Sequence, residues 1–320
     1  MKSDNKYITF INRNMTTLKN DLLKGIVVPL VTPLKDLDRL DTEGLERLVE
    51  RVIAGGVSGI FVLGTTGEFS SLSYSLRYEL IDRVVRQVNK RVPVLVGITD
   101  TALMESVNIA RKAAESGADA VVSAPPYYFA AGQPELVEYY DHLVKRLPLP
   151  LYLYNMPTHT KVILETQTVV RIAENPGVVG LKDSSANLVY FRLLQRAMQD
   201  RPDFSLFVGP EEITAEAVIF GAAGGVNGGA NLFPKLYVDM YKAAAERDFE
   251  KLKPLQRKVI QISSTIYTVG RFGSSYLKGL KCALSIKGIC DDYIAEPFHR
   301  FRKEERDKIA KNLEELGELN

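Results

Sequence analysis

Lys182 closes an apolar run, Val178-Val179-Gly180-Leu181. A lysine at the end of such a run is carried toward an interior rather than into bulk water. A desolvated lysine is a better amine nucleophile and condenses with a ketone, and the iminium that results is an electron sink for carbanion chemistry at the neighbouring carbon. Tyr154 ends a second apolar run, Leu151 to Tyr154, where a phenol can pass protons to and from a carbinolamine and a reacting aldehyde or hydroxyl. Thr65 and Thr66 stand between Gly64 and Gly67 and are followed by Glu68. Their hydroxyls and backbone N–H groups can together hold a carboxylate such as that of pyruvate. Each group also has a plain structural counterpart: Lys182 paired with Asp183, Tyr154 a core tyrosine with a satisfied hydroxyl, GTTG an ordinary turn, Glu68 a helix cap. Position alone leaves those alternatives open.

Whether these groups meet depends on the elements that carry them. From Lys24 onward, short continuous apolar runs alternate with amphipathic stretches. The runs are Ile26 to Val31, Gly59 to Leu63, Val94 to Ile98, Ala120 to Ser123, Leu151 to Tyr154, Val178 to Lys182, Ser205 to Val208 and Ala223 to Val226. Continuous rather than alternating apolarity is what parallel strands covered on both faces require. Helical spacing fills the gaps, as at Leu45, Leu48, Val49, Val52 and Ile53 after the capping candidates Asp41 and Thr42, and again from Leu76 to Val88. Further helices are expected at about 104–116, 134–146, 165–174, 187–199, 211–221 and 234–246. Eight βα units with no GxGxxG turn after the first strand favour a closed (β/α)8 TIM barrel over a doubly wound open sheet.

In a barrel the active site lies at the C-terminal ends of the strands. There the chain places Gly64 to Glu68, Pro125-Pro126-Tyr127-Tyr128, Tyr154-Asn155-Met156-Pro157 and Gly180 to Ser185. Three units are expected: a polar leader over 1–23, either disordered or upstream of a start at Met15; a catalytic barrel over 24–247; and a C-terminal helical extension over 248–320, with helices near 249–268, 276–287 and 299–316.

Composition narrows the function classes. Of 320 residues, 46% are apolar and 25% charged, as in an ordinary soluble chain, and 41 Lys plus Arg nearly balance 39 Asp plus Glu. Without a basic run interleaved with aromatics, neither a nucleic acid nor an anionic membrane is an expected partner, which leaves a small molecule. Cys282 and Cys290 match no redox or zinc spacing, and the first twenty residues lack a secretory apolar segment, so a cytoplasmic location is expected. His142, His159 and His299 are scattered without HxH or HExxH spacing, so no metal is expected. The stretch Gly221 to Gly229 could cradle a phosphate, but is better read as allowing close backbone approach to a ligand.

Taken in order, GTTGE at 64–68, PPYY at 125–128, YNMP at 154–157, GLKDSS at 180–185 and GGVNGGAN at 224–231 resemble the dihydrodipicolinate synthase and N-acetylneuraminate lyase family of class I pyruvate aldolases. The resemblance covers the chain from Lys24 to about Lys303. It implies Lys182 as Schiff-base lysine, Tyr154 as proton shuttle, and Thr65 and Thr66 as binders of the pyruvate carboxylate, with Thr65 also in the proton relay. It implies that Tyr128 reaches into a neighbouring subunit's site, that Gly209 and Val226 line the pocket, that the protein is a homotetramer built as a dimer of dimers, and that no cofactor is needed. The synthases of the family carry an arginine for the carboxylate of aspartate semialdehyde where this chain has His159. The sialic-acid lyases bind sugar hydroxyls with an acidic pair that Glu211 and Glu212 match, aided by a serine that Gly228 replaces here. The expected reaction is therefore aldol cleavage or condensation of pyruvate, or a related 2-oxo acid, with another aldehyde, or a related dehydration, making the enzyme a lyase of the carbon–carbon or carbon–oxygen type, with a sugar-derived 2-oxo acid as candidate substrate and His159, Glu211 and Glu212 on its distal part. A 4-hydroxy-tetrahydrodipicolinate synthase is the alternative within the same chemistry, and a non-catalytic small-molecule sensor is the alternative outside it.

Overall fold

The computed structural model describes residues 23–317; the expected leader lies, but for Leu23, outside the described residues. Among the described residues ten strands form: β1 (Gly25–Pro29), β2 (Leu34–Asp36), β3 (Arg39–Leu40), β4 (Gly59–Val62), β5 (Val94–Gly97), β6 (Ala120–Ser123), β7 (Leu151–Asn155), β8 (Val178–Asp183), β9 (Ser205–Val208) and β10 (Gly224–Val226). All but the β2–β3 hairpin join one closed parallel barrel, in chain order, with β10 returning to β1. The hairpin was not expected from the sequence, because its two short arms carry no run of apolar residues.

Each barrel strand is buried along its whole length, as continuous apolarity requires. Inward side chains, among them Val27, Phe61, Leu95, Val122, Tyr152, Tyr154, Val179, Phe207 and Val226, fill the barrel, while Leu151, Leu153 and Leu181 belong to the larger core beneath the helices. Burying each such side chain contributes roughly 1.5–3 kcal/mol.

The helices follow the expected apolar stripes: α1 (Thr42–Ala54), α2 (Tyr74–Val88), α3 (Leu103–Ser116), α4 (Gln133–Val144), α5 (Pro157–Thr160), α6 (Thr166–Ala173), α7 (Leu188–Ala197), α8 (Thr214–Ile219) and α9 (Pro234–Glu246). Asp41 and Ser73 cap α1 and α2 by accepting from the N–H groups of Gly44 and Leu76. Two boundaries differ from the sequence reading. The stretch from 211 opens as a 3-10 turn, Glu211–Ile213, before α8 begins. The last helix begins at Lys303 rather than near 299, because the Glu305 carboxylate accepts from the Arg302 N–H and sets the start there.

Beyond α9 come α10 (Phe249–Thr265), α11 (Ser275–Ile286) and α12 (Lys303–Leu316). They pack on one another and, through α10, against α9. One buried ion pair fastens them to the mouth of the barrel. Lys281 of α11 is fully buried, 2.6 Å from Glu68 Oε1 and 2.8 Å from the carbonyl of Thr32, while Glu68 Oε2 accepts from the Ala295 N–H at 2.8 Å. Desolvating two charges costs several kcal/mol, and the short contact with the added hydrogen bonds is what offsets it. Glu68 stands at the start of a 3-10 turn, but its side chain makes no cap there; it serves this ion pair instead.

Candidate active site

A one-residue irregularity in β8 decides where Lys182 points. Leu151 pairs with Val178, yet Tyr152 pairs with Gly180, so β8 holds one residue more than β7. Val178 packs outward, Val179 inward and Leu181 outward. Strict alternation from Val178 would have turned position 182 outward; the extra residue restores it to the interior. Gly180 is what permits this, since a Cβ there would stand 2.5 Å from both the Tyr152 ring and the Ser205 carbonyl. Lys182 then lies opposite Tyr154 in the register, only 7% exposed, with Nζ 4.2 Å from the Tyr154 ring centroid and 5.4 Å from that of Phe61.

Lys182 is not the partner of Asp183. The Asp183 carboxylate turns the other way, accepting from Asn155 Nδ2 at 2.8 Å and from the N–H and hydroxyl of Ser185. Burial pushes the Asp183 carboxyl up, and those three donors oppose the rise. Among the described residues Lys182 Nζ has no carboxylate or hydrogen-bond partner, which leaves its lone pair, once deprotonated, available for an electrophile.

The GTTG loop joins it from β4. Positive φ at Leu63 (57°) and Glu68 (58°) brackets the loop, a conformation that side-chain-bearing residues adopt at a cost of order 1–3 kcal/mol. Thr65 Oγ1 lies 3.2 Å from Tyr154 Oη, and Thr66 Oγ1 lies 3.2 Å from Tyr276 Oη. Among the described residues neither the Thr65 nor the Thr66 amide N–H has an acceptor. Two hydroxyls and two unused N–H groups beside a buried amine suit a carboxylate.

These groups line one cavity of about 620 Å³, together with His159, Gly209, Glu211, Glu212 and Val226. A larger groove of about 960 Å³ lies among α1, α2 and α9. It touches none of the strand ends, so its size does not make it the catalytic site. His159 sits on α5, a short helix that the sequence reading did not resolve; its Nδ1 lies 3.0 Å from Thr158 Oγ1, and burial holds its imidazole below the usual range. Gly209 has Ser184 Oγ 2.0 Å from where its Cβ would be, so a side chain there would displace the Ser184 hydroxyl. Tyr128 is 71% exposed and does not line the cavity within one chain.

The acidic pair divides. Glu211 is buried; its Oε1 accepts from Tyr237 Oη at 2.6 Å and Tyr267 Oη at 2.8 Å, and its Oε2 from the Gly229 N–H at 2.9 Å. Burial pushes its carboxyl up to about 7, with the neighbouring Glu212 adding to the rise. Glu212 is half-buried, and among the described residues its carboxylate has no partner.

Sequence reasoning missed the contribution of the helical extension. Tyr267, Tyr276, Leu277 and Phe298 all line the cavity. The glycines at 228 and 229 were the available signal, but they were read as making room for a ligand. They make room for tyrosines: a Cβ on Gly228 would stand 1.6 Å from Tyr276 Oη, and one on Gly229 1.9 Å from Tyr237 Oη and 2.8 Å from Tyr267 Oη.

The model of the dihydrodipicolinate synthetase family matches residues 22–316. A structure described as dihydrodipicolinate synthase from the commensal bacterium Bacteroides thetaiotaomicron is 65% identical, covers 92% of this chain and 99% of its own, and superposes with a TM-score of 0.90. A prophage protein of Escherichia coli K12, YagE, described as belonging to the dihydrodipicolinic acid synthase family and solved in complex with pyruvate, is 26% identical over 92% of this chain and 99% of its own, with a TM-score of 0.87. A probable 2-dehydro-3-deoxy-D-pentonate aldolase of the same bacterium, YjhH, is 31% identical over 92% of this chain and 98% of its own.

Proposed function

Since this chain belongs to the dihydrodipicolinate synthetase family, whose members are pyruvate-dependent class I lyases and aldolases, we propose that Lys182 is its Schiff-base lysine and that a sugar-derived 2-oxo acid is its substrate. The observation that carries the first half is the buried, unpaired Lys182 amine against the Tyr154 ring, beside a threonine pair suited to a carboxylate.

The neutral Lys182 amine attacks C2 of pyruvate, and loss of water from the carbinolamine leaves an iminium. Removal of a C3 proton gives the enamine, whose C3 forms the new bond to the aldehyde carbon while a proton passes to the aldehyde oxygen; hydrolysis then returns the lysine. Cleavage runs the same steps backward. Tyr154 Oη, in contact with Thr65 Oγ1, is the group suited to carry these protons. Thr65 and Thr66 hold the carboxylate, Gly209 and Val226 shape the wall, and His159 and Glu212 meet the distal part of the substrate. Glu211, with both oxygens engaged, holds tyrosines rather than substrate. No cofactor is required, because the iminium is the electron sink.

Exposed Tyr128 and Phe129 are suited to cover by a second copy, which supports a homotetramer, a dimer of dimers, with Tyr128 entering the neighbour's relay. The catalytic unit is the barrel over 24–247, and Tyr267, Tyr276, Leu277 and Phe298 of the extension that begins at 248 close the rim of its cavity. No described helix is long and apolar enough to cross a membrane. A cytoplasmic location and the absence of nucleic-acid partners, expected from the cysteine usage and balanced charge of the sequence, belong to the same proposal.

A second reading, 4-hydroxy-tetrahydrodipicolinate synthase, is favoured by the Bacteroides relative. Against it stands His159, a neutral ring without the two-pronged donor geometry that suits the carboxylate of aspartate semialdehyde. Intact mass after borohydride treatment with pyruvate tests the lysine: one reduced adduct on the parent and none on Lys182→Ala is expected, and no adduct on either sinks the Schiff-base assignment. An aldehyde screen on the trapped-competent enzyme then separates the two readings, and turnover confined to aspartate semialdehyde would establish the second.

A further inference from the structure

Three tyrosine hydroxyls converge on the Gly228-Gly229 pair, and they differ in what they have left to offer. Tyr237 and Tyr267 both donate to Glu211 Oε1. Tyr276, on α11, does not. Its ring stands edge-on to Tyr267 with centroids 4.7 Å apart, and its hydroxyl, on the cavity wall, has Thr66 Oγ1 as its one partner among the described residues. With Thr66 donating, the phenolic proton of Tyr276 is free for a ligand, and Thr66 holds the pyruvate carboxylate through its backbone N–H, which has no acceptor among the described residues. Burial pushes the Tyr276 phenol up, so that proton stays on at neutral pH.

Position matters as much as chemistry. Tyr276 Oη occupies the space into which any side chain at position 228 would project, 1.6 Å from where its Cβ would be. A hydroxyl delivered from the helical extension thus takes the place of one delivered from the strand-end loop. It stands between Thr66, at the carboxylate end of the cavity, and the loop that carries Glu211 and Glu212.

We infer that Tyr276 is a specificity-determining residue whose hydroxyl donates to a hydroxyl oxygen of the acceptor, so that hydroxylated aldehydes are preferred over unsubstituted ones. This rests on the reading of the cavity as a Schiff-base site. Ground-state contact by a neutral donor predicts a loss of about tenfold or more when it is removed.

The test uses the full-length enzyme with pyruvate and two probes, D-glyceraldehyde and propanal. The expected result is a kcat/KM ratio favouring glyceraldehyde in the parent, reduced about tenfold or more in Tyr276→Phe, with the borohydride-trapped pyruvate adduct undiminished. A parent that traps pyruvate but does not discriminate between the aldehydes overturns the inference, as does an unchanged ratio in Tyr276→Phe. A parent that traps no pyruvate overturns instead the reading on which it rests. Because phenylalanine could disturb Thr66, a second pair of variants separates hydroxyl from packing. Gly228→Ser combined with Tyr276→Leu returns a hydroxyl from the other side, while Gly228→Ala combined with Tyr276→Leu returns only the Cβ. Recovery of the glyceraldehyde preference in the serine variant alone supports the inference; equal behaviour of the two overturns it.

Discussion

Tyr154 and Lys182 face each other across the β7–β8 register, and the amine rests 4.2 Å from the phenol ring. That opposition exists because β8 carries one extra residue before Gly180, which turns Lys182 into the barrel. Side chains on adjacent rigid strands are held without the loss of freedom that a loop would incur, which suits the proton donor and nucleophile proposed here.

Removing only the phenol oxygen should therefore strike the chemistry rather than the fold. Tyr154→Phe is expected to lower kcat by about 100-fold or more, and to cost only about 1 kcal/mol of stability from the lost Thr65 contact. Steady-state rates beside thermal melting would check this. A rate within a few-fold of the parent would remove Tyr154 from the relay.

On the proposed reading, His159 meets the distal group of the substrate. His159→Arg should raise kcat/KM for aspartate semialdehyde by roughly tenfold or more, because a guanidinium meets a carboxylate with two parallel hydrogen bonds. Comparing that substrate with a hydroxylated aldehyde in parent and variant gives the answer. No gain with aspartate semialdehyde would mean that the distal carboxylate does not reach this residue.

Lys281 and Glu68 predict a stability effect far from any surface. Lys281→Met leaves the Glu68 carboxylate buried without a cation and should cost about 3–5 kcal/mol, whereas the double variant Glu68→Gln, Lys281→Met should regain much of it. Denaturant unfolding of both would show the pattern. Equal losses in the single and double variants would refute it.

Glu211 makes stability depend on pH in a stated direction. Its folded carboxyl titrates at about 7 against an ordinary 4.5, so between those values the folded chain holds a proton that the unfolded chain has released. The parent loses stability as pH rises through that window and no more above it. Glu211→Gln removes the titration, and its stability relative to the parent should climb over the same window, by about 3 kcal/mol at most. Melting measured at several pH values would reveal it, and a difference that stays flat with pH would be evidence against the buried neutral carboxyl.

The sequence by itself determined the barrel and which residues stand at its mouth. Continuous apolar runs at regular spacing specify buried parallel strands, and the residue ending each run is then carried to one rim. Lys182, Tyr154, Thr65 and Thr66 were legible at that rim for that reason, as local consequences of strand periodicity, while the roles expected of them came from the family resemblance of the motifs. Only the tertiary structure decided what closes the cavity. Tyr276 meets Thr66 across 210 positions and Lys281 meets Glu68 across 213. No local pattern encodes such pairs, because an amphipathic helix specifies that one face is buried but not against which partner. The role of Glu211 was likewise hidden: a carboxyl's partners and its proton depend on the burial and donors around it, and here those come from Tyr237 on α9, Tyr267 after α10 and a backbone N–H after β10.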